Sequence, residues 1–157
     1  MYYRYHPSPI GQLLLAGDEA GLRLVHMDAA QPWELADDWY PASNQLDAAC
    51  RQLDEYFAGR RERFELQLAP RGTPFQQQVW QALLAIPYGR TCSYAQLAQT
   101  IERPRAIRAV GTANGANPIA VIVPCHRVIG SNGTLTGYAG GLERKQQLLQ
   151  LEGAWLI

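Results

Sequence analysis

Short apolar runs dominate the first 27 residues, and their lengths suit strands. Residues 2–6, 10–16 and 21–27 read as three short strands, parted by Pro7-Ser8-Pro9 and Gly17-Asp18-Glu19-Ala20-Gly21, residue sets that make turns. The period then changes. Leu46, Cys50, Leu53, Tyr56 and Phe57 share one face of a helix over 45–58 that Gly59 ends. Residues 60–72 run from basic to extended to turn-like and mark a boundary between domains 1–71 and 72–157. Thr73 can cap the next helix and Pro74 suits its first position. Phe75, Val79, Trp80, Leu83 and Leu84 give that helix a core face, and Pro87-Tyr88-Gly89 ends it. Ser93 caps a short helix to Ile101, and a second runs from Arg105 to Asn114. Two short helices joined by a few residues form a helix-turn-helix candidate. Ser131-Asn132-Gly133-Thr134 signals a hairpin turn, Tyr138 to Gly141 a loop, and Leu142 to Glu152 a last helix with Leu148, Leu149 and Leu151 inward. The fold class expected is α/β: an N-terminal subdomain with a small antiparallel sheet, then a mostly helical domain.

Composition adds a charge asymmetry. Basic and acidic residues balance at 14 each. Residues 1–70 nevertheless hold all the acids except Glu102, Glu143 and Glu152, whereas residues 90–145 carry Arg90, Arg103, Arg105, Arg108, Arg127, Arg144 and Lys145. The basic half suits a polyanion, and ordinary surface charge is the competing reading. Ala106, Ala109, Gly111 and Ala113 make the second short helix small-sided, fit for close approach to nucleic acid or to another helix. Cys50, Cys92 and Cys125 are odd in number and widely spaced. That argues against a zinc site and a disulfide framework, and for a reducing, cytoplasmic setting. The first residues lack the apolar stretch of a signal peptide, and no apolar run has membrane-spanning length.

One segment carries candidate chemistry. In Val121-Ile122-Val123-Pro124-Cys125-His126-Arg127-Val128-Ile129 a thiol stands beside an imidazole, after a proline, between β-branched runs. Such runs favour buried strands, and the proline should break the ladder. A cysteine at such a break with a base beside it is a candidate nucleophile, and a buried core cysteine is the alternative. Sequence neighbours in extended chain point to opposite faces, so a direct Cys125–His126 bond does not follow. Glu152 ends the last helix, where an acid opposes the helix dipole and a partner is expected.

Pro124-Cys125-His126-Arg127-Val128, with Ser93-Tyr94, Arg108-Ala109-Val110-Gly111, Asn117-Pro118, Gly137-Tyr138 and Glu152-Gly153 in order, resembles the methylated-DNA–protein-cysteine methyltransferases, the O6-alkylguanine-DNA alkyltransferases. The likeness is dense from Gly72 to Gly153 and looser over residues 1–71. It implies a ribonuclease-H-like N-terminal subdomain and a DNA-repair protein that moves an alkyl group from O6-alkylguanine, and from O4-alkylthymine, to its own Cys125, once and irreversibly. No cofactor is implied. The implied relay runs from Cys125 through a water to His126 and Glu152. Asn117 braces the turn and Tyr94 helps neutralise the leaving guanine. The implied partner is double-stranded DNA, entered from the minor groove with the target nucleotide flipped out. Arg108 fills the vacated stack, with Ala106, Ala109, Gly111, Ser93 and Ser131 at the DNA. Val128, Tyr138 and Ala139 line the base pocket, with Gly140-Gly141 in a flexible loop. The protein is expected to act as a monomer, cooperativity on DNA being open.

Departures from the family pattern are Ala139, where some relatives carry serine, and Gly115, where some carry arginine. The metal-binding Cys/His set of some relatives is absent from residues 1–71. Two other readings stand beside the main one. A lesion-binding protein without transfer is opposed by Cys125, and a helix-turn-helix regulator with a sensor cysteine by the little room for an effector domain.

Overall fold

Three strands form near the N-terminus: β1 (Tyr2–His6), β2 (Leu13–Asp18) and β3 (Gly21–Met27). The computed structural model describes residues 1–155, and these fall into two units. One holds Met1–Arg71 with Pro118–Ile122; the other holds Gly72–Asn117 and the chain from Val123. The last two residues of the expected 72–157 domain, Leu156 and Ile157, lie outside the described residues.

In the first unit, β1 and β3 flank β2 antiparallel. Leu13, Leu14, Leu15 and Ala16 of β2 are all buried, so this central strand is covered on both faces and reads as a continuous apolar run. Leu14, Ala16 and Leu24 form a cluster against which Met1, Tyr3, Leu35 and Trp39 pack. The sheet is not wholly antiparallel, which corrects the expectation. A two-residue β4 (Tyr40–Pro41) pairs parallel with β1. Pro41 lacks an amide hydrogen and is tolerated there because this is an edge. The other edge is covered by two short pieces of chain. Leu22 exchanges backbone bonds with Gln67 and Ala69, and Val25 with Pro118 and Ala120, which blunts an open strand edge.

Helix α1 (Asp47–Phe57) buries Cys50, Leu53 and Tyr56. It ends as expected: Gly59, at φ 74°, donates to Tyr56 and Arg60 donates to Glu55, a left-handed Schellman close. Its Asp47 and Asp54 meet Arg4 and His6 of β1 at 2.8 and 2.7 Å.

The second unit is mostly helical. Helices α2 (Pro74–Leu84) and α3 (Tyr94–Thr100) both open with complete capping boxes, Thr73 with Gln76 and Ser93 with Gln96. On α2, Val79, Trp80 and Leu83 are buried, but Leu84 is exposed, against expectation. Helix α4 (Ile107–Gly115) packs on α2 and α3, and Trp80 Nε1 donates to the Ala113 carbonyl at 2.9 Å. Ala113 is therefore core, not an exposed small residue. Glu102 takes the left-handed turn between α3 and α4 at φ 61°.

The β-branched runs around Cys125 are buried, yet the first is not a strand. Ile122 bonds back to Ala120 around Val121 at φ 70°, a strained γ-turn for a β-branched residue. Cys125 bonds back to Val123 around Pro124 in the inverse γ form, φ −82° and ψ 63°. Hydrogen bonds made this locally leave no ladder. Cys125–Arg127 then form a 3₁₀ turn, and β6 (Val128–Ile129) pairs parallel with β5 (Cys92–Ser93). The turn after β6 closes with Gly133 bonded to Gly130 and Gly130 to Thr134. It makes no hairpin, because no strand follows it among the described residues. Helix α5 (Leu142–Leu151) completes the unit, with Leu148 and Leu149 fully buried and Leu151 only partly so.

Candidate active site around Cys125

The 3₁₀ turn decides the geometry. Cys125 and His126 are buried on a tight turn, not on an extended strand with opposed faces. Asn117, just past the end of α4, donates from Nδ2 to the Val123 carbonyl at 2.8 Å and to Cys125 Sγ at 3.1 Å. The same amide thus ties the backbone before the turn and touches the sulfur. Asn114 adds a longer bond to the Cys125 carbonyl, 3.4 Å.

Burial pushes the Cys125 thiol up; the hydrogen bond from Asn117, the charge of Lys145 and the nearby Tyr138 hydroxyl act against it. Such a site keeps the thiol protonated until a base removes the proton. His126 is the adjacent base. Its Nε2 lies 2.8 Å from Glu152 Oε2, both side chains fully buried. Burial holds the imidazole below its ordinary value. Burial alone would raise Glu152, but hydrogen bonds from His126 and Arg127 prevail and hold its carboxyl at about 2. An ionised carboxylate only accepts, so Nε2 must carry the proton and the lone pair of the neutral ring sits on Nδ1. Nδ1 is buried and has no hydrogen-bond partner among the described residues.

Glu152 is placed by the end of α5. Gly153, at φ 76°, donates to Gln150 and Ala154 donates to Leu149, again a Schellman close, which leaves Glu152 as the last helical-side residue with its carboxyl turned inward. Its second partner was missed in the sequence. Arg127 grips both carboxylate oxygens, Nε to Oε1 at 2.8 Å and Nη2 to Oε2 at 3.0 Å, and its Nη1 donates to the Ile86 carbonyl at 2.7 Å. Only the expected need of a terminal acid for a partner pointed that way.

Of the other expected residues, Val128 is fully buried and Ala139 is exposed. The Tyr138 hydroxyl is buried within reach of the Cys125 thiol. The Tyr94 hydroxyl donates to the Thr136 carbonyl at 3.3 Å. Lys145, unremarked in the sequence, is fully buried and donates to the same carbonyl at 2.7 Å.

The helix-turn-helix face is separate in chemistry. Arg105, Arg108 and Ala109 are exposed, Ala106 and Gly111 half-buried, and Ser131 exposed in its turn. Ser93 spends its hydroxyl on the Gln96 amide as a helix cap. A groove of about 650 Å³ lined by Thr73, Phe75, Gln76, Arg105, Arg108 and Thr112 runs beside α4. Among the described residues no cluster of His, Cys, Asp or Glu could hold a metal, and no helix is long and apolar enough to cross a membrane.

Comparison with known proteins agrees along the whole chain. Residues 1–70 match the ribonuclease-like domain of 6-O-methylguanine DNA methyltransferase, and residues 74–154 match its DNA binding domain. The methylated-DNA–protein-cysteine methyltransferase of Methanosarcina acetivorans is 54% identical over 155 residues, 98% of this chain and 99% of that protein. The protein of that name from Mycobacterium tuberculosis is 52% identical over 97% of this chain and 92% of its own length. The crystal structure of Mycobacterium tuberculosis OGT in complex with DNA superposes with a TM-score of 0.91 at 51% identity, covering 98% of this chain and 93% of that one. The chain belongs to the 6-O-methylguanine DNA methyltransferase family.

Proposed function

We propose that this protein repairs alkylated DNA by moving the alkyl group from guanine O6 to its own Cys125, once per molecule. The observation that carries this reading is the buried Cys125 thiol, touched by the Asn117 amide, on the same 3₁₀ turn as a histidine whose tautomer Glu152 sets. Its relatives' shared name and the DNA-bound Mycobacterium tuberculosis structure support it.

The thiol proton passes through a bridging water to His126 Nδ1, the nitrogen with the free lone pair. The imidazolium that forms is balanced by Glu152, whose carboxylate is already held by Arg127. A sulfur lone pair forms the S–C bond as the C–O6 bond breaks. The electron pair of that bond stays on the guanine, which takes up a proton, and the sulfur ends as a neutral thioether. No ready leaving path returns the thiol, so the protein is consumed. Asn117 donates to the sulfur and, with the Tyr138 hydroxyl nearby, favours the thiolate. Tyr94 faces the guanine as a donor by exchanging its Thr136 partner, and charge developing on the purine makes that donor useful. Val128, Tyr138 and the Ala139 backbone line the pocket.

The target atom lies inside the duplex, so its nucleotide must leave the stack, which costs a few kcal/mol. Helix α4 enters the minor groove. Ala106, Ala109 and Gly111 allow close approach, Arg108 fills the gap, and Ser93 and Ser131 lie at the backbone. The protein acts as a monomer, and O4-alkylthymine is a second substrate.

The test is intact-mass spectrometry after incubation with an O6-methylguanine duplex, with Cys125→Ser alongside. The expected result is a gain of one methylene, at most once per molecule, mapped to Cys125 and absent from the variant. Tight binding with no gain in mass would make the protein a lesion binder and end the transfer reading.

A further inference from the structure

The turn that ends α2, Pro87-Tyr88-Gly89, closes with Arg90 donating to the Pro87 carbonyl at 3.1 Å, and Gly89 takes φ 79°. A glycine at the third position in that conformation fits a type II turn. The turn lies against the close of α5. The Tyr88 hydroxyl donates to the Leu151 carbonyl at 3.4 Å, and a methyl group added at Gly89 would stand 3.3 Å from the Glu152 carbonyl oxygen. Leu151 is the last residue of its helix, where carbonyls lack intrahelical partners. The same stretch of chain also reaches Arg127. The Ile86 carbonyl accepts from Arg127 Nη1 at 2.7 Å, and the Tyr88 ring lies over the guanidinium, its centroid 5.8 Å from Cζ.

Arg127 is therefore held in two ways. Its bonds to Glu152 and Ile86 follow N–H directions, and these all lie in the plane of the guanidinium. They resist sliding within that plane far better than tilting out of it. A ring over one face opposes the tilt, and arginine stacks on aromatic faces because its cation is planar. A tilted guanidinium would leave Glu152 with part of its counter-charge gone, and the carboxylate would draw a proton onto His126. We propose that Tyr88 is a positioning residue for alkyl transfer, whose ring keeps Arg127 flat on Glu152 and thereby leaves His126 free to take the thiol proton. The charged groups acting on His126 are Glu152 and Lys145 of α5 and Arg127 of its own turn, and the Cys125 thiol is the other titratable group on that turn. Helix α2, packed against the turn, carries no titratable side chain, and α4 carries only the exposed Arg108. Tyr88 thus reaches His126 through the Arg127–Glu152 pair.

The inference rests on the transfer role of Cys125 and His126 proposed above, and its first test is independent of DNA. Protein labelled with ¹⁵N at histidine gives signals from three side chains, and His6→Gln and His26→Gln identify the other two. The ring nitrogens of His126 are then followed against pH in wild type, Tyr88→Leu and Tyr88→Phe. Tyr88→Leu removes the ring and is expected to move the His126 midpoint up by about half a unit, a roughly threefold change in its affinity for protons. Tyr88→Phe keeps the ring, loses only the bond to Leu151, and is expected to titrate as wild type. Tyr88→Met, also without a π face, replaces Tyr88→Leu if that variant does not fold. The same variants are then assayed for single-turnover transfer from an O6-methylguanine duplex. The acid limb of rate against pH is expected to shift with the His126 midpoint in Tyr88→Leu and to stay in place in Tyr88→Phe. An identical His126 titration in wild type and Tyr88→Leu overturns the proposal, including one in which neither takes up a proton before unfolding. A shift as large in Tyr88→Phe as in Tyr88→Leu also overturns it, because the hydroxyl tie to α5 would then be what matters. A wild type that gains no methyl from the duplex, but whose His126 titration still depends on the Tyr88 ring, would refute the repair reading and leave the hold on Arg127 standing.

Discussion

Arg127 shows how a single residue changes the chemistry of its neighbours. Without it, Glu152 would be a buried carboxylate facing one imidazole, and the proton would settle on His126 to balance the charge. With the guanidinium on both oxygens, the carboxylate is neutralised and His126 stays free to accept a proton. Arg127→Met should therefore raise the affinity of His126 for protons. We expect slower transfer at neutral pH with recovery at higher pH, measured as single-turnover rate against pH, and a stability loss of about 3–5 kcal/mol for the broken buried pair. A pH profile that keeps its wild-type shape would show that Arg127 acts on stability alone. Arg127→Lys should fall between, since an ammonium cannot grip two oxygens and the Ile86 carbonyl together. Little of this was legible beforehand. His126 next to Cys125 is a local fact, but the Arg127–Glu152 grip joins residues 25 positions apart, and no spacing rule announces it. Lys145 was invisible for a related reason, because burial of a charged residue follows from tertiary packing.

At the scale of elements, the local signals were strong wherever the physics is local. Thr73 and Ser93 cap helices as read because a cap depends on residues within three positions. Gly59 ends α1 through its left-handed conformation. The failures are just as instructive. β4, β5 and β6 are two residues each, too short for any period to show. The Val121–Val123 run has the composition of a strand, yet γ-turns use up its hydrogen bonds. The α3–α4 pair was legible from its apolar spacing, and its exposed arginines give the element-scale prediction. The Arg108 side chain is exposed, and no hydrogen bond or ion pair engages it among the described residues. Arg108→Ala should thus leave the stability within about 0.5 kcal/mol of wild type, as surface changes usually do. It should slow repair of duplex DNA far more than reaction with free O6-alkylguanine base. Equal slowing of both, in parallel single-turnover assays, would remove the stack-filling role.

For the whole molecule, the buried site makes stability depend on pH and on whether the thiol has reacted. Glu152 is held at about 2 against an ordinary 4.5. Its contribution, about 3 kcal/mol, is present above 4.5 and lost as the pH falls toward 2. His126 is held below its ordinary value, so its folded form resists protonation. Its contribution is complete above about 6.5 and declines as the pH drops below that. Both act in the same direction, and denaturation should begin on the acid side well before the carboxylates at the surface are titrated; a melting temperature flat from neutral to pH 4 would contradict this. Reaction at Cys125 adds a second load. The sulfur is buried, with the Asn117 amide 3.1 Å away, and a methyl placed there must displace packed atoms. Overpacking of this kind costs roughly 1–3 kcal/mol. The thioether is also a poorer acceptor than the sulfur it replaces, so the bond from Asn117 weakens. For a chain of this size these losses correspond to a melting temperature lower by roughly 3–10 °C. Calorimetry on fully alkylated and unreacted protein, at one neutral pH and one concentration, measures the difference directly. A melting temperature unchanged or raised by alkylation would mean that the pocket has room for the methyl, and that the spent protein is as stable as the fresh one.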